Sequence, residues 1–329
     1  MKLQILITQY KETDEVVKPL LDSIAIQQSV DFNEIGVIIC NDGSDVKLSS
    51  KLLSSYPFRI EYYQIPHKGV SGARNACLDR ATAEYVMFCD ADDIFLNVCG
   101  LYTVFLSIAQ GFDSLNSVFV EEAISNTGEP VYVSHPNDST FIHGKVHRRQ
   151  YLLEKQIRWD ENLTVHEDSY FNVLCQNLSE NVVYCDTPFY LWKWRDGSIC
   201  RSDRQFMLKT YDKLLDSNDA LVDEFVKRGI LDKAMYFFSH MVFETYYTMN
   251  KPNWRNETNA EYREKTEKRF KDFFLKHKDL WNNIPMWDKV KVSDQARAKV
   301  VKEGMLLEAV SIFKWLENVT GEPQCLQEE

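Results

Sequence analysis

Three carboxylates, Asp90, Asp92 and Asp93, close a short apolar run, with Ala91 between the first two. Acids this crowded repel one another unless a cation sits among them. Their oxygens suit a hard divalent ion, Mn2+ or Mg2+, which also neutralises phosphate charge. A second acidic pair, Glu167-Asp168, precedes the apolar positions Tyr170, Phe171 and Leu174. Such a pair either complements a helix N-terminus or supplies a general base. Between the two lies Gly69-Val70-Ser71-Gly72-Ala73-Arg74-Asn75, a helix opening whose free N–H groups, with Arg74 one turn in, favour anions. Tyr10 offers a flat face for a base, and Asp42 an acceptor for a ring N–H. An isolated D-x-D is common and reads as a solvated acidic turn. The weight lies in the company it keeps.

The elements that must position these residues alternate. Leu3–Thr8, Ile35–Cys40, Ile60–Gln64 and Tyr85–Cys89 read as buried strands, too short and too rich in β-branched or aromatic residues for helices. Asp14 caps a helix with Val16, Val17, Leu20, Leu21 and Ile24 on one face, and a helix runs from Gly69 to Ala83. Strand–helix alternation implies right-handed crossovers and a mostly parallel sheet, an α/β fold whose ligands bind beyond the carboxyl ends of the strands. Each chemically suggestive stretch falls there: Thr8-Gln9-Tyr10 after the first strand, Asn41-Asp42-Gly43-Ser44 after the second, Asp90–Asp93 after the fourth. Further on, helices are expected over Asn97–Ala109 and Lys145–Gln156, a strand over Ser114–Glu121, a turn-rich connection over Gly128–Asn137, and short strands over Val182–Tyr184 and Phe189–Trp194. From Ser202 the texture changes to long amphipathic segments, Met207–Arg228, Leu231–Met249, Ala260–His277 and Ser293–Val319.

In order and spacing, Ile5–Tyr10, Asn41–Ser44, Gly69–Asn75, Asp90–Asp93, His166–Phe171 and Trp194–Ile199 resemble a family 2 glycosyltransferase of the GT-A fold. The resemblance covers roughly the first two hundred residues. It implies a Rossmann-like catalytic domain over 1–200, with a nucleotide-sugar half at 1–110 and an acceptor half at 111–200, followed by a helical subdomain at 201–329. It implies that Thr8, Tyr10 and Asp42 hold the nucleobase, Arg74 the base or diphosphate, Asp90 the ribose and Asp92 the metal, with Ala91 between them. Arg195 and Ser198 would lie on a loop folding over the diphosphate. Asp168 would be the base that deprotonates the acceptor hydroxyl, with His166, Glu167 and Trp194 on the acceptor side. The family often has Pro before the Thr8 position and Asp where Asn41 stands. The implied reaction is inverting transfer from a nucleotide-diphosphate sugar, a UDP-sugar foremost, to a hydroxyl of a surface polysaccharide or glycoconjugate.

Composition bounds the rest. The chain has 329 residues, 44% hydrophobic, with a net charge of -11 that disfavours a general attraction to nucleic acid or anionic membrane. Eight cysteines without a C-x-x-C pair, several inside apolar runs, read as reduced residues of a cytoplasmic protein. No apolar run approaches a membrane span. His143 and His147 are four apart, but Gly144 interrupts, so a structural or acceptor-side role is expected over metal ligation. The apolar face Met305, Leu306, Ala309, Val310, Ile312, Phe313, Leu316 and Val319 packs on the catalytic domain by default; a homodimer seam or peripheral membrane contact is the alternative, with Lys289, Lys291, Arg297, Lys299 and Lys302 just ahead of it. Two other functions share the donor site: transfer to a modified base in viral DNA, and nucleotide-sugar binding without turnover. A nucleotidyltransferase is disfavoured, because Thr8–Glu12 contains no glycine.

Overall fold

The computed structural model describes residues 1–198, 203, 205–302 and 311–323. It divides into two compact units, Met1–Ser198 and Ile199–Glu329.

The first unit is built on one nine-stranded sheet. Its first half runs β1 (Leu3–Gln9), α1 (Asp14–Ala25), β2 (Ile35–Asp42), α2 (Ser50–Leu53), β3 (Arg59–Ile65), α3 (Gly69–Arg80) and β4 (Tyr85–Asp90). These four strands pair in parallel, in the order β3-β2-β1-β4. β1, β2 and most of β4 are buried on both faces, as their continuous apolar runs require. The core formed by Ile5, Ile7, Val37, Ile39 and Met87 takes up Leu20, Leu21 and Ile24 of α1. Thr13, not Asp14, occupies the N-cap of α1. The Asp14 carboxylate instead accepts from the backbone N–H and hydroxyl of Ser49, tying α1 to the cap of α2.

The second half comprises β5 (Ile94–Phe95), α4 (Gly100–Gln110), β6 (Ser114–Ile124), β7 (Pro130–His135), β8 (Lys145–Arg148), α5 (Arg149–Glu154), α6 (Glu167–Asn177) and β9 (Val182–Trp192). The sheet continues β4-β8-β6-β9-β5, with β7 on the free stretch of β6. Here antiparallel pairs enter: β8 lies antiparallel to β4 and β6, while β6 and β9 are parallel with a register shift between Ser117 and Phe119. Three expectations change. The connection at Gly128–Asn137 contains a hairpin strand, exposed along most of its length, which its Val131 and Val133 alternation permits without burial. Lys145–Arg148 is strand and only Arg149–Glu154 is helix, because Val146 fills the sheet core between β4 and β6. β9 runs unbroken through Pro188.

The second unit is helical: α7 (Phe206–Lys227), α8 (Leu231–Met249), α9 (Pro252–Arg255), α10 (Ala260–Lys276), α11 (Lys278–Asn283), α12 (Met286–Lys302) and α13 (Ile312–Thr320). Its core holds Leu215, Val222, Phe225, Phe238, Phe270, Phe273 and Leu316, all fully buried. Asp219 of α7 accepts from Arg269 (2.6 Å), Lys276 (2.8 Å) and His277 (2.6 Å), and Asp212 pairs with Lys265 at 2.9 Å. Lys265, Arg269 and Lys276 of α10 are thus spent on packing against α7. Met305, Leu306, Ala309 and Val310 lie outside the described residues. Among the described residues no helix is long and apolar enough to cross a membrane.

Candidate active site

The carboxyl ends of β1, β2 and β4 and the start of α3 bring the first group of residues together. Gly43 turns the chain after β2 with φ +72°, and a Cβ there would stand 2.6 Å from the backbone nitrogen of His67, so glycine is required. That approach lets Asp42 accept from Lys68 N–H at 2.7 Å and pair with His67 Nδ1 at 2.8 Å. His67 in turn stacks on Tyr10, centroids 4.9 Å apart and planes 28° apart. Tyr10 remains 42% exposed, leaving ring surface open to a planar group. Thr8 is half-buried and sits in register beside Asp90. Asn41 donates to Val46 O (2.9 Å) and Tyr62 Oη (2.9 Å) and accepts from Ser44 N–H (2.7 Å). An aspartate could not make the two donations, which accounts for the amide at this turn.

Arg74 lies one turn into α3 and is 95% buried. Nη1 donates to Glu167 Oε1 at 2.8 Å and Nη2 to Asp90 Oδ1 at 3.1 Å. The guanidinium rests 4.4 Å from the Trp159 ring, which stacks on Phe171 at 4.1 Å. Asn75 holds this layer: it donates to Trp159 O (2.9 Å) and accepts from Trp159 N–H (3.0 Å). Arg74 therefore joins Asp90, at the end of β4, to the opening of α6, and its expected contact with nucleotide would be made from within that double ion pair.

His166 enters α6 with φ +62°, a left-handed conformation uncommon for a residue with a side chain. It aims Glu167 at Arg74, whereas the half-buried Asp168 accepts from Ser169 N–H at 2.9 Å. Burial, and then the neighbouring Glu167, raise the Asp168 carboxyl to about 7, in the range where a general base works best.

The acidic turn is split by depth. Asp93 is fully buried, accepting from Tyr190 Oη at 2.7 Å and Lys193 N–H at 2.9 Å. Asp92 is half-buried, and its carboxyl is raised by burial and by Asp90. Arg195 reaches it, with Nε 3.0 Å from Asp92 Oδ2 and Nη1 3.5 Å from Glu12 Oε1. Ala91 is buried between the acids. Asp90, Asp93 and His143 place ligand atoms within 4.8 Å of one another, so His143 stands beside the acids. His147 does not join it: buried against Ser114 Oγ at 3.0 Å, its imidazole is pushed down to about 3, chiefly by burial. Ser198 closes a turn by donating its N–H to Arg195 O at 3.1 Å. Trp194 lies past the end of β9 rather than on a strand, its N–H donating to Glu122 at 3.0 Å.

Sequence patterns alone did not single out Glu12, His67, Trp159 and Tyr190. Lys145 belongs with them: it is buried beside Asp138 (3.8 Å), with its ammonium lowered by burial to about 8. Lys145, set in the basic stretch His143–Arg149, carried no signal that would separate it from its neighbours, and neither did His67 or Trp159.

Residues 4–162 match the family model described as glycosyl transferase family 2. The chain is 27% identical over 226 residues to glycosyltransferase GlyA of Streptococcus pneumoniae, covering 61% of this chain and 32% of that protein. It is 26% identical over 210 residues to the teichoic acid poly(glycerol phosphate) polymerase of Staphylococcus epidermidis, covering 57% and 28%. It is 30% identical over 166 residues to the minor teichoic acid biosynthesis protein GgaB of Bacillus subtilis, covering 44% and 18%. The chain thus spans about a third or less of the length of these curated relatives. Among solved structures, S. aureus TarS 1-349 in complex with UDP-GlcNAc superposes with a TM-score of 0.63 at 18% identity, over 83% of this chain and 81% of that one. TarS 1-349 without that ligand gives 0.59 at 17% identity over the same shares. Strand order, motif placement and these matches agree: residues 4–162 form a glycosyl transferase family 2 domain, and the fold is GT-A.

Proposed function

We propose that the chain transfers a sugar, with inversion, from a UDP-sugar to a hydroxyl of a teichoic-acid-type or other surface polysaccharide, in a reaction dependent on Mn2+ or Mg2+. The observation that carries this reading is the Arg74 bridge, which holds Asp90 at the donor end and the Glu167-Asp168 opening of α6 in one charged cluster. The relatives support the chemistry: one solved neighbour is in complex with UDP-GlcNAc, and two relatives are named for teichoic acid synthesis.

In this reading the open face of Tyr10 stacks on the uracil, while Asp42, Thr8 and Asp90 receive the nucleoside. The site fits a hard cation, because Asp90, Asp93 and His143 bring ligand atoms within 4.8 Å of one another and Asp92 adds a half-buried carboxylate next door. Asp92, with Asp90, would hold the divalent ion, and that ion when bound supplies Lewis-acid neutralisation of the departing diphosphate. Arg195 adds a second positive charge on the same side, its loop carrying Ser198. Asp168 takes the proton from the acceptor hydroxyl as that oxygen bonds to the anomeric carbon. The bond from this carbon to the diphosphate oxygen breaks with its electron pair leaving on the diphosphate, and no covalent intermediate is needed. His166, Glu167 and Trp194 border the acceptor. The described cysteines are free thiols, in keeping with work in the cytosol.

The test is a donor screen. With Mn2+ present, UDP-, GDP-, CDP- and dTDP-sugars are compared by thermal shift, then by release of nucleotide with a poly(polyol phosphate) acceptor. A UDP-sugar at a hundredfold its Kd should stabilise the protein by about 2.7 kcal/mol. Absence of a shift with every donor would overturn the assignment.

A further inference from the structure

The helical unit holds a buried cation with no carboxylate in ion-pair reach among the described residues, although Asp232 and Asp288 line the larger of its two cavities. Lys289, on α12, is 92% buried. Among the described residues no carboxylate lies within ion-pair distance of its ammonium; its neighbour is the Trp281 ring, 5.2 Å from Nζ to the centroid. Burial lowers its pKa, with no counter-charge acting in the other direction. An ammonium kept in such a place without a partner is costly, and a ring quadrupole offsets only part of that cost. Other cations of this unit are handled differently. Arg269 and Lys276 each reach two carboxylates of α7.

Two cavities, of about 190 and 220 Å3, are both lined by Lys289 and Trp281. The smaller adds Lys278, Asn282 and Phe313. Lys278 is already matched by Glu322, at 3.3 Å. The charge left over at this cavity is therefore a single positive one, set beside an amide and aromatic walls. We propose that this cavity binds a singly charged oxyanion carried on a sugar or polyol, the ammonium of Lys289 meeting the anion and the Trp281 ring lying against the carbon body. A free divalent phosphate would leave one charge unmatched and the aromatic wall unused. The inference concerns binding by the helical unit and stands apart from the transfer chemistry.

The experiment uses the whole chain. Isothermal titration compares glycerophosphoglycerol, a monoanionic phosphodiester, and glucuronate, a monoanionic carboxylate, with inorganic phosphate and uncharged glycerol, on wild type and on Lys289→Met. The methionine keeps the stem and removes the charge, so its melting temperature should hold or rise. Expected is at least one of the two organic anions binding tenfold or more tightly than phosphate, with that binding weakened tenfold or more in Lys289→Met and glycerol silent throughout. Which of the two prevails identifies the source of the anion. Failure of both to bind, or equal binding by wild type and a folded Lys289→Met, would overturn the proposal. Trp281→Leu gives an independent check: it should weaken the organic anions and leave the response to phosphate unchanged.

Discussion

Arg74 Nη1 meets Glu167 Oε1 at 2.8 Å across 93 positions of sequence. Both side chains are nearly enclosed, at 6% and 12% exposure, so neither charge has water to fall back on. Removing one partner of such a pair costs about 3–5 kcal/mol. Arg74→Met should lose stability of that order in urea denaturation, with Arg74→Lys in between because one ammonium cannot span both Glu167 and Asp90. An unchanged midpoint for Arg74→Met would remove the pair from the forces holding α3 to α6.

Asp168 gives a pH signature of definite sign. As a base it must be ionised, so kcat/KM should fall about tenfold per unit as pH drops below about 7. Stability runs the other way. The folded-state value lies above the ordinary 3.8, so the protonated form favours folding; that contribution is complete below about 3.8 and is lost as pH rises through about 7. Asp168→Asn should therefore be more stable than wild type at pH 8 while kcat drops by about 10²–10⁴, with donor affinity unchanged. A calorimetric loss of donor binding would show that Asp168 serves the donor instead.

Asp92 and Arg195 form a contact that donor and ion should remodel. With Asp92→Ala, Mn2+ should no longer tighten UDP-sugar binding, and chelator should have no further effect on the variant. Wild type treated with excess chelator should lose transfer. Full activity under those conditions would exclude the metal from the reaction.

His147 predicts acid lability. Its folded pKa, about 3, lies below the ordinary 6.5, so the unfolded chain binds the proton first and stability is lost as pH falls from about 6.5 toward 3. Each unit of that interval is worth about 1.4 kcal/mol. Plotting urea midpoints against pH, His147→Gln should flatten the slope in this window. A slope identical to wild type would mean that the imidazole is not enclosed.

How much of this was legible beforehand depends on range. β1, β2 and β4 announce themselves because burial on both faces demands unbroken apolar runs, and the polar residues at their ends then mark the crevice. The Lys145–Arg148 strand was hidden because four residues carry no period, and its partners are separated from it in sequence by about thirty residues on one side and sixty on the other. Glu167 was expected among the acceptor-side residues, with no pairing to Arg74 foreseen. The left-handed His166 turns it toward Arg74, and a positive φ at a non-glycine residue leaves no mark in composition. Lys289 was counted in a surface basic run, since charge pattern does not reveal which lysine the packing swallows.

Asp93 depends on Tyr190 and the backbone of Lys193, partners 97 and 100 positions downstream. During synthesis, strands β1 to β4 can pair while those partners have yet to be made, which leaves the acidic turn unbraced. A chain interrupted before β9 would keep most of its nucleotide-side loops and still lack the brace beneath the acids. Competence is thereby deferred until nearly the whole first unit has left the ribosome, and a truncated product is silenced by its own topology.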